Sequence, residues 1–429
     1  KYHNGQLLNV AEVVAGSVGI SIEGTVNGSV YTGGKGIDTR LFTDTASPEY
    51  MEWTKIIGMK DSGELGYISW FKPTGGSSTT PDTVVFDTIA NYGGFASSVS
   101  TVDGLSRSVT MTDGIIGGSV YGGGAIGITD IGTGMIFVAV NSGTVSGSVY
   151  GGGMGLKGNT EAGKVQASKI NVTIGTPTTE PIIKGSVYGG GAYSFTASEI
   201  AVVINSGNVY GNVFSGGLGT INSQSTSGKR TLNMSGGRVK GSVYGSSSYG
   251  NDGSIGDSHD TTVEISAGVV DGSVYGAGFK GITHGNTKIV IKGTASIGMS
   301  VYGGADVGVV TGAFVEEIKV IGNSTIFIDG TGGASVAGSV FGSGNSCLVY
   351  GEKTIRIKGL NSGTAMASIQ NADKVDIDGS RLILTGRAAG TSSSATTKYS
   401  LNNIEELNLA DGTYMELRAR VNDIGEYHS

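Results

Sequence analysis

A glycine-rich heptapeptide, GSVYGGG, occurs three times without change, at Gly118–Gly124, Gly147–Gly153 and Gly185–Gly191. Looser copies lie on both sides, and alignment on the valine gives nine copies, each with an aromatic residue directly after the valine. These pairs are Val30–Tyr31, Val120–Tyr121, Val149–Tyr150, Val187–Tyr188, Val213–Phe214, Val243–Tyr244, Val274–Tyr275, Val301–Tyr302 and Val340–Phe341. A β-branched residue also stands four positions before every valine. Such agreement identifies an internal repeat, which governs what the chain can fold into.

The repeat unit is built from short strands. The valines follow one another at intervals of 26 to 39 residues, apart from one interval of 90 residues. A second segment with alternating apolar and polar residues precedes later copies, as in TVEIS at Thr262–Ser266 and TKIVI at Thr287–Ile291. Period-two alternation is typical of strands with one buried face. A unit of this length is too short for a propeller blade of roughly 40 residues and favours stacking as a parallel β-solenoid.

Composition supports this fold. Glycine supplies 78 of the 429 residues, which suits many tight corners. Collagen is excluded because there are only 5 prolines and no three-residue period, and disorder is disfavoured by 38% hydrophobic against 15% charged residues. We predict an all-β, right-handed parallel β-helix, because crossovers between parallel strands are nearly always right-handed. The nine valines should form one inward ladder, and the aromatic residues should stack, with their rings either inside or outside. The functional alternative for this column is an exposed tyrosine stripe on which sugars stack.

The chain divides into four predicted regions. Residues 1–36 form the first coils, 37–108 an insert or flap, 109–346 the regular repeat, and 347–429 less regular coils. The insert occupies the long interval between the first two copies of the motif. The regular region should continue into the C-terminal one, where strand and glycine segments persist without the motif.

The insert differs sharply in composition from the rest of the chain. It contains both tryptophans, Trp53 and Trp70, and three of the five prolines. The segment Glu49–Lys60 fits either a short helix or a strand pair. Two interpretations compete: an aromatic flap that covers an edge of the solenoid, or a binding excursion with rigid aromatic anchors. For the second, the candidate residues are Trp53, Trp70, Tyr50 and Tyr67.

Several function classes find no support in the sequence. The formal net charge is −7 and no basic cluster stands out, so nucleic acid is not an expected partner. No apolar run approaches the ~20 residues of a membrane span. Cys347 is the single cysteine and cannot form an internal disulfide, and the four histidines lack zinc-site spacing. Because the chain starts with Lys1 and not with methionine, we expect its start to be processed or cut from a longer polypeptide, whose other parts would then be partners.

The densest acidic run, NDGSIGDSHD, carries Asp252, Asp257 and Asp260 in a loop between two motif copies. Carboxylates at this density are candidate Ca²⁺ ligands, and an acidic turn in water explains them equally well. Elsewhere acids precede turn glycines singly, which fits turn chemistry. We therefore expect no catalytic residues, no enzyme activity and no cofactor other than this candidate calcium.

The repeated V-x-G-S-V-Y-G-G-G pattern, from Gly24 to about Gly344, resembles the repeats of large bacterial adhesin-like cell-surface proteins with right-handed parallel β-helix stalks. The resemblance implies an extracellular location and a structural or adhesive role, with host or bacterial surface glycans or proteins as partners. It is one of repeat style and transfers no functional residue. The alternatives are a β-helix polysaccharide lyase or glycoside hydrolase, and a passive spacer or fibre-forming subunit.

Overall fold

The computed structural model describes residues 17–34, 104–156, 162–219, 224–253, 259–306, 319–360, 366–386 and 400–418. In the remaining ranges it describes only the backbone of short strands at 2–3, 6–7, 37–38, 56–59, 65–68, 95–96 and 100–101. Within the described residues, one sheet of 35 strands runs through the repeat, and its strands pair in parallel with equivalent strands of neighbouring coils. The predicted all-β parallel β-helix is therefore confirmed.

The coil that contains the second GSVYGGG copy has four strands, Thr129–Asp130, Met135–Val140, Thr144–Val145 and Val149–Tyr150. Each of them pairs in parallel with the coil before and with the coil after. A turn at Gly143, whose φ of 81° is left-handed and favours glycine, separates the second strand from the third. We number the four strand positions of a coil first to fourth in this order.

The four positions recur as four ladders. The first-position strands are Ser100–Thr101, Thr129–Asp130, Gln224–Ser227, Asn251–Asp252, Ile282–His284, Lys319–Ile321 and Leu348–Val349. The second-position strands are Val18–Ile22, Arg107–Met111, Met135–Val140, Thr287–Ile291, Ser324–Asp329 and Lys353–Lys358. Strands that join the first and second positions are Val165–Ile174 and Thr196–Ile204, and strands that join the second and third are Arg230–Val239 and Thr261–Val270.

The separate third-position strands are Thr25–Val26, Ile115–Ile116, Thr144–Val145, Ile182–Ile183, Asn208–Val209, Ser296–Ile297 and Ser335–Val336. The fourth-position strands are the nine valine–aromatic pairs of the motif. Beyond Phe341, Ile369–Asp378 and Leu401–Leu409 continue the ladder, and Ile369 pairs with Val340 on one side and Leu401 on the other. Arg381–Leu384 pairs in parallel with Tyr414–Leu417, and a short 3₁₀ helix spans Gly330–Gly332.

The interior is a stack of aliphatic side chains. All nine motif valines lie in register and are buried, so the predicted inward valine ladder is confirmed. They belong to one core cluster that also holds the inward residues of the second strands, such as Val138 and Val172. Complete burial of a valine stabilises the fold by about 2 kcal/mol before the entropy of ordering is subtracted. Because this term repeats in every coil, stacking holds the helix together.

The corner glycines of the motif serve close packing. A Cβ on Gly151 would lie 2.1 Å from the carbonyl oxygen of Gly189 and 2.6 Å from Cγ2 of Ile170. Gly122 and Gly189 meet the same pair of obstacles in their own coils. Glycine is therefore required here because the next coil passes too near for any side chain, and GSVYGGG is a scaffold element.

Between residues 37 and 99 the structure describes two short antiparallel strand pairs. Ile56–Met59 pairs with Leu65–Ile68, so this part of the Glu49–Lys60 segment is strand. Ile37–Asp38 pairs with Phe95–Ala96, which brings the two ends of the insert together. Near the predicted C-terminal end of the insert, Ser100–Thr101 pairs in parallel with Thr129–Asp130 and Arg107–Met111 with Val18–Ile22, so both strands belong to the β-helix. Polar and apolar residues alternate from Ser108 to Met111, which is the sequence signal of this strand.

Candidate functional site

The aromatic residues of the motif form a continuous stacked ladder. Successive rings have centroids 4.5–5.0 Å apart and planes within 2–9° of parallel. The rings of this aromatic ladder are Tyr31, Tyr121, Tyr150, Tyr188, Phe214, Tyr244, Tyr275, Tyr302 and Phe341. Because each ring lies one residue after an inward valine, it points to the opposite face of the short strand. The predicted stacking of the rings is confirmed. Of the two predicted positions, inside or outside the coil, the rings occupy the outside of the aliphatic core.

Although they lie outside the core, the rings are largely shielded from solvent. Phe214 is 2% exposed and Tyr121 8%, and the central rings fall between these values. The loops after the glycine corners fold over the ladder, and Ala192, Met154 and Leu218 pack against the rings. A buried aromatic side chain stabilises through its large apolar area and through ring stacking. The ladder is thus a second core on the flank of the first.

A ladder of serines runs beside the rings. The hydroxyl oxygen of Ser119 accepts a hydrogen bond from the backbone N–H of Ser148 at 3.0 Å, and Ser148 accepts one from Ser186 in the same way. Asn212 takes the same role in its coil, through its side-chain oxygen. The motif alignment did not single out this column, although the residue before every motif valine except Val213 is serine. It fixes the register between coils with polar contacts at the surface.

Burial changes the acidity of the ladder phenols. It raises the pKa of Tyr188 to about 12, and the hydrogen bond with Ser186 opposes this shift. The pKa values of Tyr121 and Tyr150 are raised further, by burial first and then by neighbouring tyrosines. Tyr244 and Tyr275 have raised pKa values through burial and the negative charge of Asp306. The phenols therefore stay protonated and neutral at physiological pH.

A buried polar network interrupts the aliphatic interior. Arg230 is fully buried and occupies the position that Ile200 holds in the preceding coil. Its guanidinium donates to the carbonyl oxygens of Gly228 at 2.9 Å and His259 at 3.0 Å, and to Oγ1 of Thr226 at 3.4 Å. A charge inside an apolar core is costly unless it is paired and hydrogen-bonded.

The countercharge comes from Asp252, which is 1% exposed. Its carboxylate accepts hydrogen bonds from the N–H and the hydroxyl of Ser247, both at 2.7 Å, and from the hydroxyl of Thr226, which links it to Arg230. Burial lowers the pKa of Arg230, and the charges of Asp252 and Asp260 oppose this change. Burial, followed by the positive charges of Lys319 and Arg230, lowers the pKa of nearby His284.

These contacts bear on the candidate calcium residues. Both carboxylate oxygens of Asp252 are already held by protein donors, so a cation would have to displace them. Asp260 is exposed and accepts two hydrogen bonds from Asn286, at 2.8 and 3.1 Å. Asp257 lies outside the described residues. No group of three or more histidine, cysteine or acidic residues able to hold a metal occurs in the described part of the chain. The calcium site stays a prediction.

The candidate binding residues of the insert stay predictions too. Trp53, Trp70 and Tyr50 lie outside the described residues. Tyr67 belongs to strand Leu65–Ile68, of which only the backbone is described. The structure therefore places the insert between the first and second coils but neither brings these side chains together nor separates them.

Charged side chains on the outer face of the last coils form ion pairs. Lys374 lies 3.7 Å from Asp376 and 3.5 Å from Glu406, and Arg356 lies 3.4 Å from Asp376. Glu264 pairs in the same way with a lysine of the next coil at 2.7 Å. Such exposed pairs are worth about 0–1 kcal/mol each, and they are ordinary on protein surfaces.

Comparison with protein-family models, with curated proteins and with solved structures finds no match. The described residues contain no helix with the length and apolar character needed to cross a membrane. The function must therefore be inferred from the geometry of the coils.

Proposed function

We propose that this chain is a rigid stalk of a bacterial surface protein, located outside the cell, which carries the aromatic insert as its contact surface. The observation that supports the proposal is the unbroken parallel pairing of coil on coil from Val18–Ile22 to Leu401–Leu409. A solenoid whose coils each bond to two neighbours is stiff, and its length grows with coil number. At one strand spacing per coil this ladder extends about 50 Å.

The position of the insert fits this role. The pairing of Ile37 with Ala96 brings together the chain on either side of residues 39–94, and the ladder continues from the first coil to the second. Surface loops held by a rigid scaffold are the usual carriers of recognition. The partner would be a glycan or protein of a host or bacterial surface, recognised by aromatic anchors such as Trp53 and Trp70.

Excision of the insert tests the proposal. Residues 39–94 are replaced by a short glycine–serine turn, which the paired strands at 37–38 and 95–96 can hold closed. Binding to a glycan array and to cells is measured, with circular dichroism as the check of folding. Loss of binding by a folded variant supports the insert as contact surface; binding that persists contradicts it.

A second variant distinguishes an insert that binds a partner from one that only covers an edge of the solenoid. Trp53→Ala with Trp70→Ala leaves the insert in place, and Tyr414→Ala, an exposed aromatic residue of the last coils, is the matched control. If the tryptophan variant alone loses binding, the anchors are identified. If neither the wild type nor any variant binds, the passive spacer replaces the proposal. Release of reducing sugar or unsaturated uronate from a polysaccharide panel would establish the enzyme alternative.

A further inference from the structure

The aromatic ladder contains two runs of tyrosine separated by a phenylalanine. The first run comprises Tyr31, Tyr121, Tyr150 and Tyr188, and the second Tyr244, Tyr275 and Tyr302. Phe214 lies between them, 5.0 Å from Tyr188 and 4.5 Å from Tyr244 between centroids. The rings overlap through eight successive contacts over a distance of about 40 Å at the strand spacing. Most are shielded from water by the covering loops.

One phenol of the second run is hydrogen-bonded to a carboxylate. The hydroxyl of Tyr244 donates to Oδ2 of Asp306 at 3.2 Å. The other carboxylate oxygen, Oδ1, accepts a hydrogen bond from the side-chain amide of Asn345 at 3.0 Å, which orients the group. Asp306 follows the glycine corner two coils further along the axis, so only the stacked fold brings it to this ring.

Packing alone does not require these hydroxyls. Phe214 and Phe341 stack as well as the tyrosines do, so phenylalanine would supply the same ring contacts at every position. Seven of the nine rings nevertheless carry a hydroxyl group. A phenol gives up an electron far more readily than a phenyl ring, provided that a base accepts its proton. Asp306 is such a base, placed at hydrogen-bond distance from Tyr244.

We propose that the aromatic ladder is a redox element that accepts an electron hole and holds it at Tyr244. A one-electron oxidant removes one electron from the second run and is reduced by one electron. The hole moves between the overlapping phenol rings of Tyr302, Tyr275 and Tyr244 until Tyr244 loses its proton from Oη to Oδ2 of Asp306. The products are a neutral tyrosyl radical and a protonated Asp306; an external reductant such as ascorbate returns the electron, and the proton moves back.

Access for the oxidant is provided at the surface. Tyr302, the last tyrosine of the second run, is half-buried and stacks on Tyr275 with 4.8 Å between the ring centroids. An oxidant that meets Tyr302 therefore reaches the second run. The ladder would thus protect an exposed shaft from irreversible oxidation, a role that does not depend on what the insert binds.

Flash photolysis of the full chain tests this proposal. A ruthenium(III) polypyridyl oxidant is generated with persulfate, and the tyrosyl radical is followed by transient absorption and by electron paramagnetic resonance. Asp306→Asn removes the proton acceptor and should lower the radical yield at Tyr244 about tenfold or more, because a hydrogen bond to a charged group changes an equilibrium by at least that factor. Asp271→Asn, which alters an aspartate paired with Arg238 on the surface, is the matched control and should leave the yield unchanged.

Tyr244→Phe provides an independent test that retains the ring and the stack. The magnetic resonance spectrum should lose the component coupled to the hydrogen bond, while circular dichroism and the melting temperature confirm folding. If the yield and lifetime match the wild type in both Asp306→Asn and Tyr244→Phe, the radical resides on exposed tyrosines such as Tyr210 and Tyr350, and the proposal is wrong.

Discussion

Substitution of one corner glycine should destabilise the protein more than the loss of a core methyl group. In Gly151→Ala the new Cβ would lie 2.1 Å from the Gly189 carbonyl oxygen, 2.6 Å from Ile170 Cγ2 and 2.9 Å from Val172 Cγ2. The nearest obstacle is backbone, which cannot rotate away. In the variant the neighbouring coil must therefore shift. This shift would strain the hydrogen bond from Gly151 N–H to the Tyr188 carbonyl oxygen, which is 2.9 Å long in the native protein.

The magnitude follows from these contacts. Overpacking of a core costs about 1–3 kcal/mol, and each weakened ladder hydrogen bond adds about 1 kcal/mol, so we expect a loss of about 4 kcal/mol. The control is Gly28→Ala, where no atom lies within 4 Å of the new Cβ. That surface change should stay within about 0.5 kcal/mol of the wild type.

Urea unfolding followed by far-ultraviolet circular dichroism measures both variants. Hydrogen exchange of the coils around Gly151 adds a local measurement, since repeat proteins do not always unfold in one step. If Gly151→Ala unfolds at the same urea concentration as Gly28→Ala, close approach of the coils is not the reason for the glycine, and the scaffold role of the motif corner is refuted.

Three further predictions concern the ladder and the polar network. Tyr150→Ala should lower the unfolding free energy by about 3–5 kcal/mol, and Tyr150→Phe by less than about 1 kcal/mol, in urea unfolding; equal losses would mean that stacking contributes little. Asp252→Ala should cost about 3–5 kcal/mol by leaving the Arg230 charge uncompensated, and Arg230→Ile in the same chain should recover part of it; additive losses would show that the two groups are not coupled. Above pH 10 stability should fall, because the folded pKa of Tyr188, about 12, exceeds its unfolded value of 10.0, so the unfolded chain releases its proton first. That single shift corresponds to about 3 kcal/mol, lost between the two pKa values; melting temperatures that stay level across this interval would contradict the burial of the phenols.

The repeat in the sequence was enough to predict the coil. Three columns repeat in every copy: the valine, such as Val149, the aromatic residue directly after it, and the β-branched residue four positions before it. Strand alternation assigns each column to a face of its strand. Identical coils bury their apolar faces only by stacking in register. The inward valine ladder therefore followed from local pattern and repetition alone.

The environment of the rings depended on tertiary structure. Alternation places the side chains of Val187 and Tyr188 on opposite faces of their strand. Whether the face of Tyr188 is exposed to water depends on the loops, whose lengths vary from coil to coil. Met154 and Ala192 cover the ladder because their loops turn back after the glycine corner. No periodic signal encodes such a turn.

The polar contacts between coils were also decided by the fold. Arg230 and Asp252 are 22 positions apart and occupy different strands, and their link through Thr226 exists only because successive coils align first-position strands in register. Asp306 reaches Tyr244 across 62 residues for the same reason. A repeat specifies which columns stack, because every coil contributes the same residue type to them. Contacts that occur in only one coil, such as those of Asp252 and Asp306, depend on the lengths of individual loops. These lengths determine which side chains face each other in neighbouring coils.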